Sequence, residues 1–481
     1  MEKTSNELTN KNDEYFKNKL TDSLHIFSKQ LNHIFNDVNK VISDMIFKTT
    51  KKYSRNNKLT FNDTILYLFN YCSINKTKLN VVSNLNYNND INVHPSNYQK
   101  KEAKIPLLFY ENLFNNIQSL FYEKYSINDL NKNRIVCVDG TYNNTNLLNN
   151  GSLETSLNMG YYDFTNKIPV NIKLKGMEGK NREIKSFIDD IKNKDVSTDN
   201  VIFVFDRAYD SYDLFNYMDD NNYKYVCRIK KSCLYLDKEK NKDKISKKKN
   251  KIKNENVRFI LSEHKYELSI KNKKNKKITF DKISKCYLIT NLNSNEYDDE
   301  KVKKIYLNRW SVESFFKLLK SNYRFSNLTN HTNTNTKTQY HKQNYIILIQ
   351  YYIIRIIDII YSSNINDLNN HKFNKKNKNK YNVKHNNKNM ILGLELILKE
   401  IIDGNVNSNS LYKYSTNYIK KINIQIEIYK PRICKNPSYK WYLKSYAEYY
   451  KYNVVIEAII NNNVDSLNKN LKLLASEIRI K

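Results

Sequence analysis

Two apolar runs of the sequence each end in an aspartate, a residue type that can bind a metal ion. Residues 135–138 precede Asp139, and residues 201–205 precede Asp206. A fully apolar strand usually lies inside a sheet whose two faces are both covered. Ligands of α/β folds gather where such strands end. One aspartate of this kind is common, whereas two with a hairpin and a helix between them predict a carboxylate pair at one edge of a sheet.

A helix predicted over residues 302–323 carries a third carboxylate on a narrow charged face. At 100° per residue, the charged side chains between 306 and 320 fall within a stripe of about 80°. The stripe holds one carboxylate and three cations: Glu313, Arg309, Lys317 and Lys320. Most other positions are apolar, including Leu307 and Trp310. Since an ordinary surface helix has a broad polar face, this helix is predicted to be largely buried.

Three carboxylates beside cations suit the breaking and joining of phosphodiester bonds. Two Mg²⁺ ions roughly 3.5–4 Å apart can activate the attacking oxygen and stabilise the leaving one. Mg²⁺ prefers carboxylate oxygens and keeps several waters, so three acids suffice, and Mn²⁺ is a substitute. Lysine and arginine then hold DNA phosphates. In the simpler alternative, Glu313 only pairs with Arg309 or Lys317 by i,i+4 contacts.

The elements around these residues are predicted to form an α/β fold with a mixed sheet flanked by helices. Strands at 159–164 and 168–174 form a hairpin, and a helix spans 182–192. A helix at 212–219 and a strand at 224–229 follow the second aspartate. Residues 230–300 are predicted to be a β-rich, basic insertion with a lysine-rich loop at 238–253. The catalytic core is therefore predicted to span 131–345.

Helical regions are predicted on both sides of this core. Residues 1–130 are a candidate DNA-binding region or, equally, a helical cap, with an irregular asparagine-rich segment at 81–104. Residues 346–481 are a candidate dimerisation region. The apolar stretch 345–361 contains Gln350, Arg355 and Asp358 and is shorter than a usual membrane span. It is therefore predicted to be a buried helix.

The composition indicates a basic protein of a reducing compartment. The chain has 481 residues and a formal net charge of +32, which attracts polyanions such as nucleic acid. A very A+T-rich gene would also produce many lysines, so charge alone leaves both explanations open. The cysteines form no C-x-x-C pair, which disfavours a zinc knuckle. The N-terminus lacks an apolar signal segment, so we expect an intracellular, DNA-associated protein that is not secreted.

The residues around the glutamate complete a specific spacing, Y-x2-R-x3-E-x6-K. It is formed by Tyr306, Arg309, Glu313 and Lys320. In this respect the chain resembles DDE transposases of bacterial insertion sequences, of the insertion sequence family four type. The contexts VCVDGT and FVFDRAYDS around the two aspartates are also typical of those proteins.

The resemblance implies a ribonuclease-H-like core that binds two Mg²⁺ ions through Asp139, Asp206 and Glu313. It also implies that the tyrosine and the cationic side chains of the signature contact DNA near a transposon end. We add two neighbouring cationic residues to this set of DNA-binding candidates. These candidates are Tyr306, Arg309, Lys317, Lys320 and Arg207. For Arg207, a role in orienting the metal-binding loop is the stronger expectation.

The implied activity is cut-and-paste DNA transposition. A homodimer would bring together terminal inverted repeats and target DNA; water would free a 3′-hydroxyl, which would then attack the target. One alternative is a domesticated or inactive transposase-derived protein that only binds DNA. Another is a phosphatase with an hhhhD-x-D-G-T pattern, which is disfavoured because Cys137 stands where the nucleophilic aspartate is needed. A purely protein-binding role leaves the charged stripe unexplained.

Overall fold

The computed structural model describes a large part of the chain. The described residues are 18–19, 22–40, 61–72, 93–126, 133–147, 153–175, 182–229, 256–271, 277–323 and 336–372, with a few single residues and two short strands near the C-terminus. Most of the lysine-rich run at 238–253 and most of residues 373–481 lie outside this description.

The chain divides into two compact units. One comprises residues 50–355, and the other comprises residues 1–49 together with 356–481. In the second unit, residues 22–40 are helical, and the strands Val383–Lys384 and Gln425–Ile426 pair antiparallel. The helices between 61 and 124 belong to the same unit as the sheet, and the predicted domain bounds stay predictions. The predicted roles of the flanking regions stay predictions.

A seven-stranded mixed sheet organises the unit of residues 50–355. Its strands are β1 (Arg134–Leu147), β2 (Leu153–Asp163), β3 (Ile168–Lys175), β4 (Val201–Phe205), β5 (Lys224–Ile229), β6 (Arg258–Lys271) and β7 (Lys277–Thr290). The order across the sheet is β3-β2-β1-β4-β5-β7-β6. β1, β4 and β5 are parallel neighbours, and the remaining pairs are antiparallel. The predicted α/β class with a mixed sheet is confirmed.

The predicted hairpin is also confirmed, and local chemistry explains its turn. β2 and β3 pair antiparallel around residues 164–167. Asp163 accepts hydrogen bonds from the backbone and side-chain nitrogens of Asn166, and Lys167 has a positive φ of 58°. An aspartate that bonds to the backbone a few residues further on favours such a turn.

The described part of the predicted β-rich insertion forms two long strands, β6 and β7. β6 and β7 pair along their whole length, and β7 also pairs with β5. The insertion therefore extends the main sheet. Polar residues interrupt the apolar pattern at several positions, but they do not interrupt an antiparallel ladder, whose hydrogen bonds join backbone groups only.

Eight helices can be named among the described residues between 61 and 372. They are α1 (Phe61–Cys72), α2 (Pro95–Lys104), α3 (Leu107–Lys124), α4 (Arg182–Lys192), α5 (Tyr212–Asp220), α6 (Asp299–Leu307), α7 (Trp310–Asn322) and α8 (Thr336–Lys372). α2 corrects the prediction that 81–104 is wholly irregular. It begins at Pro95, and the side chain of His94 accepts a hydrogen bond from Ser96 N. Proline is favoured at the first helical position because its missing N–H has no intrahelical partner there.

Both faces of the sheet are covered by helices. Tyr161 of β2 contacts Phe187 of α4, and α5 adds Leu214 and Phe215 to the same buried cluster. Successive side chains of a strand point to opposite faces, and the next residue of β2, Tyr162, stacks on Phe315 of α7. α4 and α7 therefore pack on opposite faces of β2.

α8 includes the apolar stretch that was predicted to be a buried helix. Its part Thr338–Ile360 is long and apolar enough to cross a membrane by length and composition, but 72% of its most apolar window is buried inside the protein. Tyr352 donates a hydrogen bond to Pro169 O of β3. Burial and this contact support the prediction of a core helix.

The helix predicted over 302–323 is interrupted. α6 ends at Leu307 and α7 begins at Trp310, and the backbone between them makes i→i−3 bonds, such as Arg309 N to Tyr306 O. Such bonds are typical of a tighter 3₁₀ turn. The prediction that Leu307 and Trp310 are buried is wrong, because they are 48% and 55% exposed. A 3₁₀ turn has fewer residues per turn than an α-helix, so one continuous helical wheel does not describe both segments.

We expect Gly160→Ala to destabilise the protein by about 1–3 kcal/mol, the usual cost of overpacking a core. A methyl group at Gly160 would lie 2.4 Å from Cζ of Phe316 on α7. Urea unfolding measures the change. Phe316→Leu removes the atom that clashes, so Gly160→Ala should cost less in that background. Equal costs in the two backgrounds would contradict this packing.

Candidate metal and DNA site

The parallel pairing of β1 with β4 brings the two aspartates to one edge of the sheet. This pairing ends with Cys137 beside Val204. Asp139 lies two residues after Cys137, and Asp206 lies two residues after Val204. β1 does not end at Asp139, as was expected, but continues to Leu147 alongside β2. Asp139 therefore lies where β1 leaves β4.

Asp206 is held by the turn that follows β4. Its carboxylate accepts a hydrogen bond of 2.6 Å from Ala208 N and thereby caps the 3₁₀ turn Arg207–Tyr209. Tyr209 is fully buried, whereas Arg207 is exposed. The buried tyrosine anchors the turn, and the expected role of Arg207 in orienting the loop stays a prediction. Arg207 is accessible to a DNA backbone.

α7 brings Glu313 to the same place. A cleft of about 490 Å³ is lined by Asp139, Gly140, Thr141, Glu313, Phe316, Lys317, Lys320 and Ser321. The Lys320 ammonium donates to the Thr141 hydroxyl at 2.6 Å, which ties α7 to β1, and Lys317 is exposed at the rim. Asp139 and Glu313 of the predicted set therefore line the same cleft, which is open to solvent and bordered by two lysines.

A buried guanidinium lies between these two carboxylates. Nη1 of Arg309 is 2.6 Å from Oε1 of Glu313 and 4.0 Å from Oδ2 of Asp139, and the residue is only 4% exposed. Its Cζ lies 4.3 Å from the centre of the Trp310 ring. The i,i+4 pairing considered as the simpler alternative is therefore present. It does not exclude a metal site, since the same glutamate lines the cleft.

The electrostatics of Asp139 reflect burial first and a neighbouring acid second. Burial raises the pKa of its carboxyl from 3.8 to about 7, and the charge of Asp206 acts in the same direction. The hydrogen bond from Gly140 N and the charge of Arg309 act in the opposite direction. An aspartate whose pKa is raised by burial and by a neighbouring acid is a frequent feature of functional sites.

A fourth carboxylate, Glu183, lies in the same neighbourhood and was missed by the sequence analysis. Burial raises its pKa, as does the charge of Asp206. Its carboxylate accepts a hydrogen bond from Tyr142 at 3.4 Å. An acid in the first turn of a helix is common because its negative charge interacts favourably with the helix dipole. The sequence therefore offered no signal that distinguishes Glu183 from an ordinary residue at the start of a helix.

Two residues of the signature are not accessible. Tyr306 is 6% exposed, and burial raises its pKa to about 12. Arg309 is ion-paired inside the protein. Direct DNA contacts by these two side chains stay predictions, and they require a rearrangement that exposes them. Lys317 and Lys320, in contrast, are both exposed.

The position that a phosphatase would need for its nucleophile is unsuitable. Cys137 is fully buried, and its thiol lies 3.3 Å from Asn308 O. Burial raises the pKa of this thiol to about 12. Since the thiolate is the reactive form, Cys137 is an inert core residue.

The carboxylates fit Mg²⁺ or Mn²⁺ by chemistry, because both ions favour hard oxygen ligands. Among the described residues, no three acidic, histidine or cysteine side chains converge closely enough to hold one ion. Arg309 holds Glu313 by its ion pair, so binding at three acids requires side-chain rotation in this region. The expected metal ligation stays a prediction.

Part of the chain matches the model of a known protein family. Residues 159–339 match the family model of the transposase DDE domain. This range contains Asp206 and Glu313 and begins after Asp139. A cryo-EM structure of the piggyBac transposase synaptic complex with hairpin DNA aligns with a TM-score of 0.39 at 10% identity, over 82% of this chain and 84% of that one. No curated protein matches the chain.

We expect Asp139→Asn to stabilise the metal-free protein above pH 7. A pKa raised from 3.8 to about 7 in the folded state means that the ionised carboxylate is disfavoured by folding. Wild type therefore loses stability as the pH rises from about 4 to about 7, by at most about 4 kcal/mol. The variant lacks this loss, so the difference should vanish below about pH 4.

Chemical unfolding at a series of pH values in the presence of a chelator measures this. Asp199→Asn, which removes an exposed carboxylate, is the matched control and should track wild type. A parallel pH dependence for wild type and Asp139→Asn would rule out the raised pKa of Asp139.

Proposed function

We propose that this chain is a DNA transposase that cuts transposon ends and joins them to target DNA with divalent metal ions held by Asp139, Asp206 and Glu313. One observation carries the proposal. Two aspartates at the end of a parallel strand pair share a neighbourhood with a glutamate from a helix far along the chain, and lysines border the same cleft. The match of residues 159–339 to the transposase DDE domain supports the same activity.

We propose further that the core is ribonuclease-H-like. The support is the pattern of the first five strands. Three antiparallel strands, β3-β2-β1, continue into two strands parallel to β1, and α4 connects β3 to β4. This arrangement agrees with the order of strand, hairpin, helix and strand predicted from the sequence.

The protein side chains have distinct tasks in this mechanism. Bound Mg²⁺ would supply activation of the attacking oxygen and stabilisation of the leaving oxygen. Asp139 and Asp206 would provide ligand oxygens from the sheet, and Glu313 would provide one from α7 after it separates from Arg309. Lys317 would bind a DNA phosphate, since it is exposed beside the cleft. A guanidinium released from Glu313 is well suited to grip a phosphate with two hydrogen bonds.

The partners follow from the activity. They are double-stranded DNA with terminal inverted repeats, target DNA, and a second copy of the chain in a synaptic complex. The basic composition, with a net charge of +32, supports a polyanionic partner. We place the protein inside the cell with its DNA. A chain that binds DNA ends but never nicks them would instead be a transposase-derived DNA-binding protein.

We expect Glu313→Gln to reduce metal-dependent cleavage of an end-containing duplex by more than about 100-fold, because loss of a direct ligand should cost more than loss of an outer-shell partner. The amide keeps the size of the side chain and removes its charge. Strand cleavage with Mg²⁺ or Mn²⁺, followed on denaturing gels, provides the measurement.

Glu300→Gln is the matched control, because Glu300 is an exposed acid on α6 that pairs with Lys303. It should cleave like wild type. Equal cleavage by wild type and Glu313→Gln would refute the catalytic assignment. DNA binding without cleavage by wild type would favour the transposase-derived DNA-binding protein.

We expect Lys317→Gln to weaken DNA binding and to reduce the slope of log Kd against log salt by about 1, as loss of one phosphate contact does. Fluorescence anisotropy at several salt concentrations measures both quantities. Lys304→Gln removes a lysine of α6 that does not line the cleft, and it should leave the slope unchanged. Identical slopes for wild type and Lys317→Gln would exclude a phosphate contact.

A further inference from the structure

We propose that Trp310 is a positioning residue for DNA binding: its indole ring holds the Arg309 guanidinium in place for a DNA phosphate when Glu313 no longer pairs with it. This inference rests on the proposed function, because it concerns the guanidinium that is released from Glu313 there. It gives a role to a side chain that lies between the arginine and the glutamate of the Y-x2-R-x3-E-x6-K spacing but is not part of it.

The exposure of Trp310 calls for a reason other than core packing. Trp310 is the first residue of α7, and its side chain is 55% exposed, although tryptophan is on average a highly buried residue type. Burial in the core therefore does not explain an aromatic side chain at this position. A half-exposed indole leaves part of its surface for a contact with a neighbouring group and lies close to solvent, where DNA can approach.

The neighbouring group is the guanidinium of Arg309. Its Cζ lies over the indole ring, 4.3 Å from the ring centre, which is well inside the limit of about 6 Å for a cation–π contact. Adjacent side chains of a regular helix do not face each other, so helical geometry does not produce this contact by default. Tryptophan is also the aromatic residue that attracts a cation most strongly. The pair Arg309–Trp310 is therefore a specific contact between a buried cation and a half-exposed ring.

Arg309 carries a hydrogen-bond donor that the described residues leave unused. The residue is only 4% exposed, and its Nε has no hydrogen-bond partner among the residues that the structure describes. Its Nη1 faces Oε1 of Glu313 at 2.6 Å. A buried donor without an acceptor costs free energy, so this guanidinium is suited to an acceptor that arrives with a ligand. The oxygens of a DNA phosphate are such acceptors, since a guanidinium binds them through two parallel N–H groups.

Glu313 and Trp310 hold the guanidinium in different ways. The Glu313 carboxylate pairs with one nitrogen, Nη1. An aromatic ring instead attracts the charge of the guanidinium through its quadrupole and occupies no N–H donor. A phosphate therefore competes with Glu313 for Arg309 but does not compete with Trp310.

The indole is consequently more important in the DNA-bound state than in the free protein. In the free protein, Glu313 and Trp310 both hold the guanidinium. When a phosphate takes the place of Glu313, the ring is the remaining one of these two contacts. Without the ring, the long arginine side chain gains rotamer freedom, and ordering it again on the phosphate costs conformational entropy. Loss of the ring should therefore weaken the phosphate contact of Arg309.

The test is binding of the full chain to an end-containing duplex in chelator, so that no strand is cut, measured by fluorescence anisotropy at several salt concentrations. We expect Trp310→Leu to weaken binding by about 5-fold, the size of a cation–π contact at a partly exposed ring. The slope of log Kd against log salt should fall toward that of Arg309→Met, which loses about 1. A substitution that removes no charge lowers this slope only by loosening the phosphate contact of a charged group.

Three further variants separate the cation–π contact from other effects. Trp310→Phe keeps an aromatic ring and should retain most of the affinity and of the slope. Trp310→Gln replaces the ring by a polar side chain that suits an exposed helical position, and it should repeat the effect of Trp310→Leu, so the result does not depend on one variant. Leu307→Ala is the matched control, because it removes another exposed apolar side chain beside the same turn. It should bind DNA like wild type.

A double-mutant cycle decides whether Trp310 acts through Arg309. In an Arg309→Met background, Trp310→Leu should have no further effect. An equal loss of affinity in both backgrounds would mean that Trp310 contacts DNA by itself and would overturn the proposal. If wild type neither binds nor cuts the end-containing duplex, the proposed function and this inference both fail. If wild type binds and cuts it while Arg309→Met or Trp310→Leu keeps the wild-type slope, only this inference fails.

Discussion

The parallel pairing of β1 with β4 is the constraint on which the candidate site depends. It aligns Cys137 with Val204, so the two aspartates that follow are brought together by backbone hydrogen bonds rather than by contacts between their own side chains. Those side chains repel each other, and burial makes the repulsion costly. A rigid sheet, covered by helices on both faces, supplies the packing energy that keeps the acids together.

Arg309 decides whether Glu313 is ion-paired or free within the candidate site. Its guanidinium is buried beside two carboxylates and contacts the Trp310 ring. Taking a charged group out of water is unfavourable unless it is paired, and Glu313 supplies that pair. The same glutamate cannot be a free ligand and the partner of Arg309 at once. In the proposed mechanism, phosphate and metal ions compete for the two members of this pair, which couples DNA binding to assembly of the metal centre.

The short turn between α6 and α7 is flanked by two exposed apolar residues. Leu307 and Trp310 are 48% and 55% exposed, although their types predict burial. Lys320 reaches Thr141 from the far end of α7, so the helix is tied to β1 at the cleft. α7 also contacts β2 through Phe315 and Phe316. Glu313 is therefore carried by a helix that is fixed to the sheet at several points.

The sequence by itself determined the elements whose residues are patterned locally. The strands 201–205 and 224–229 and the helix 182–192 have the predicted bounds, because apolar runs and helical periodicity depend on neighbouring residues only. Asp139, Asp206 and Glu313 were likewise selected by type and spacing. Only the tertiary structure decided that β1 continues past Asp139, that the insertion joins the main sheet, and that Glu183 lies against Gly140. These features depend on which distant segments meet, and the repulsion among acids or the burial of Arg309 exists only after they have met.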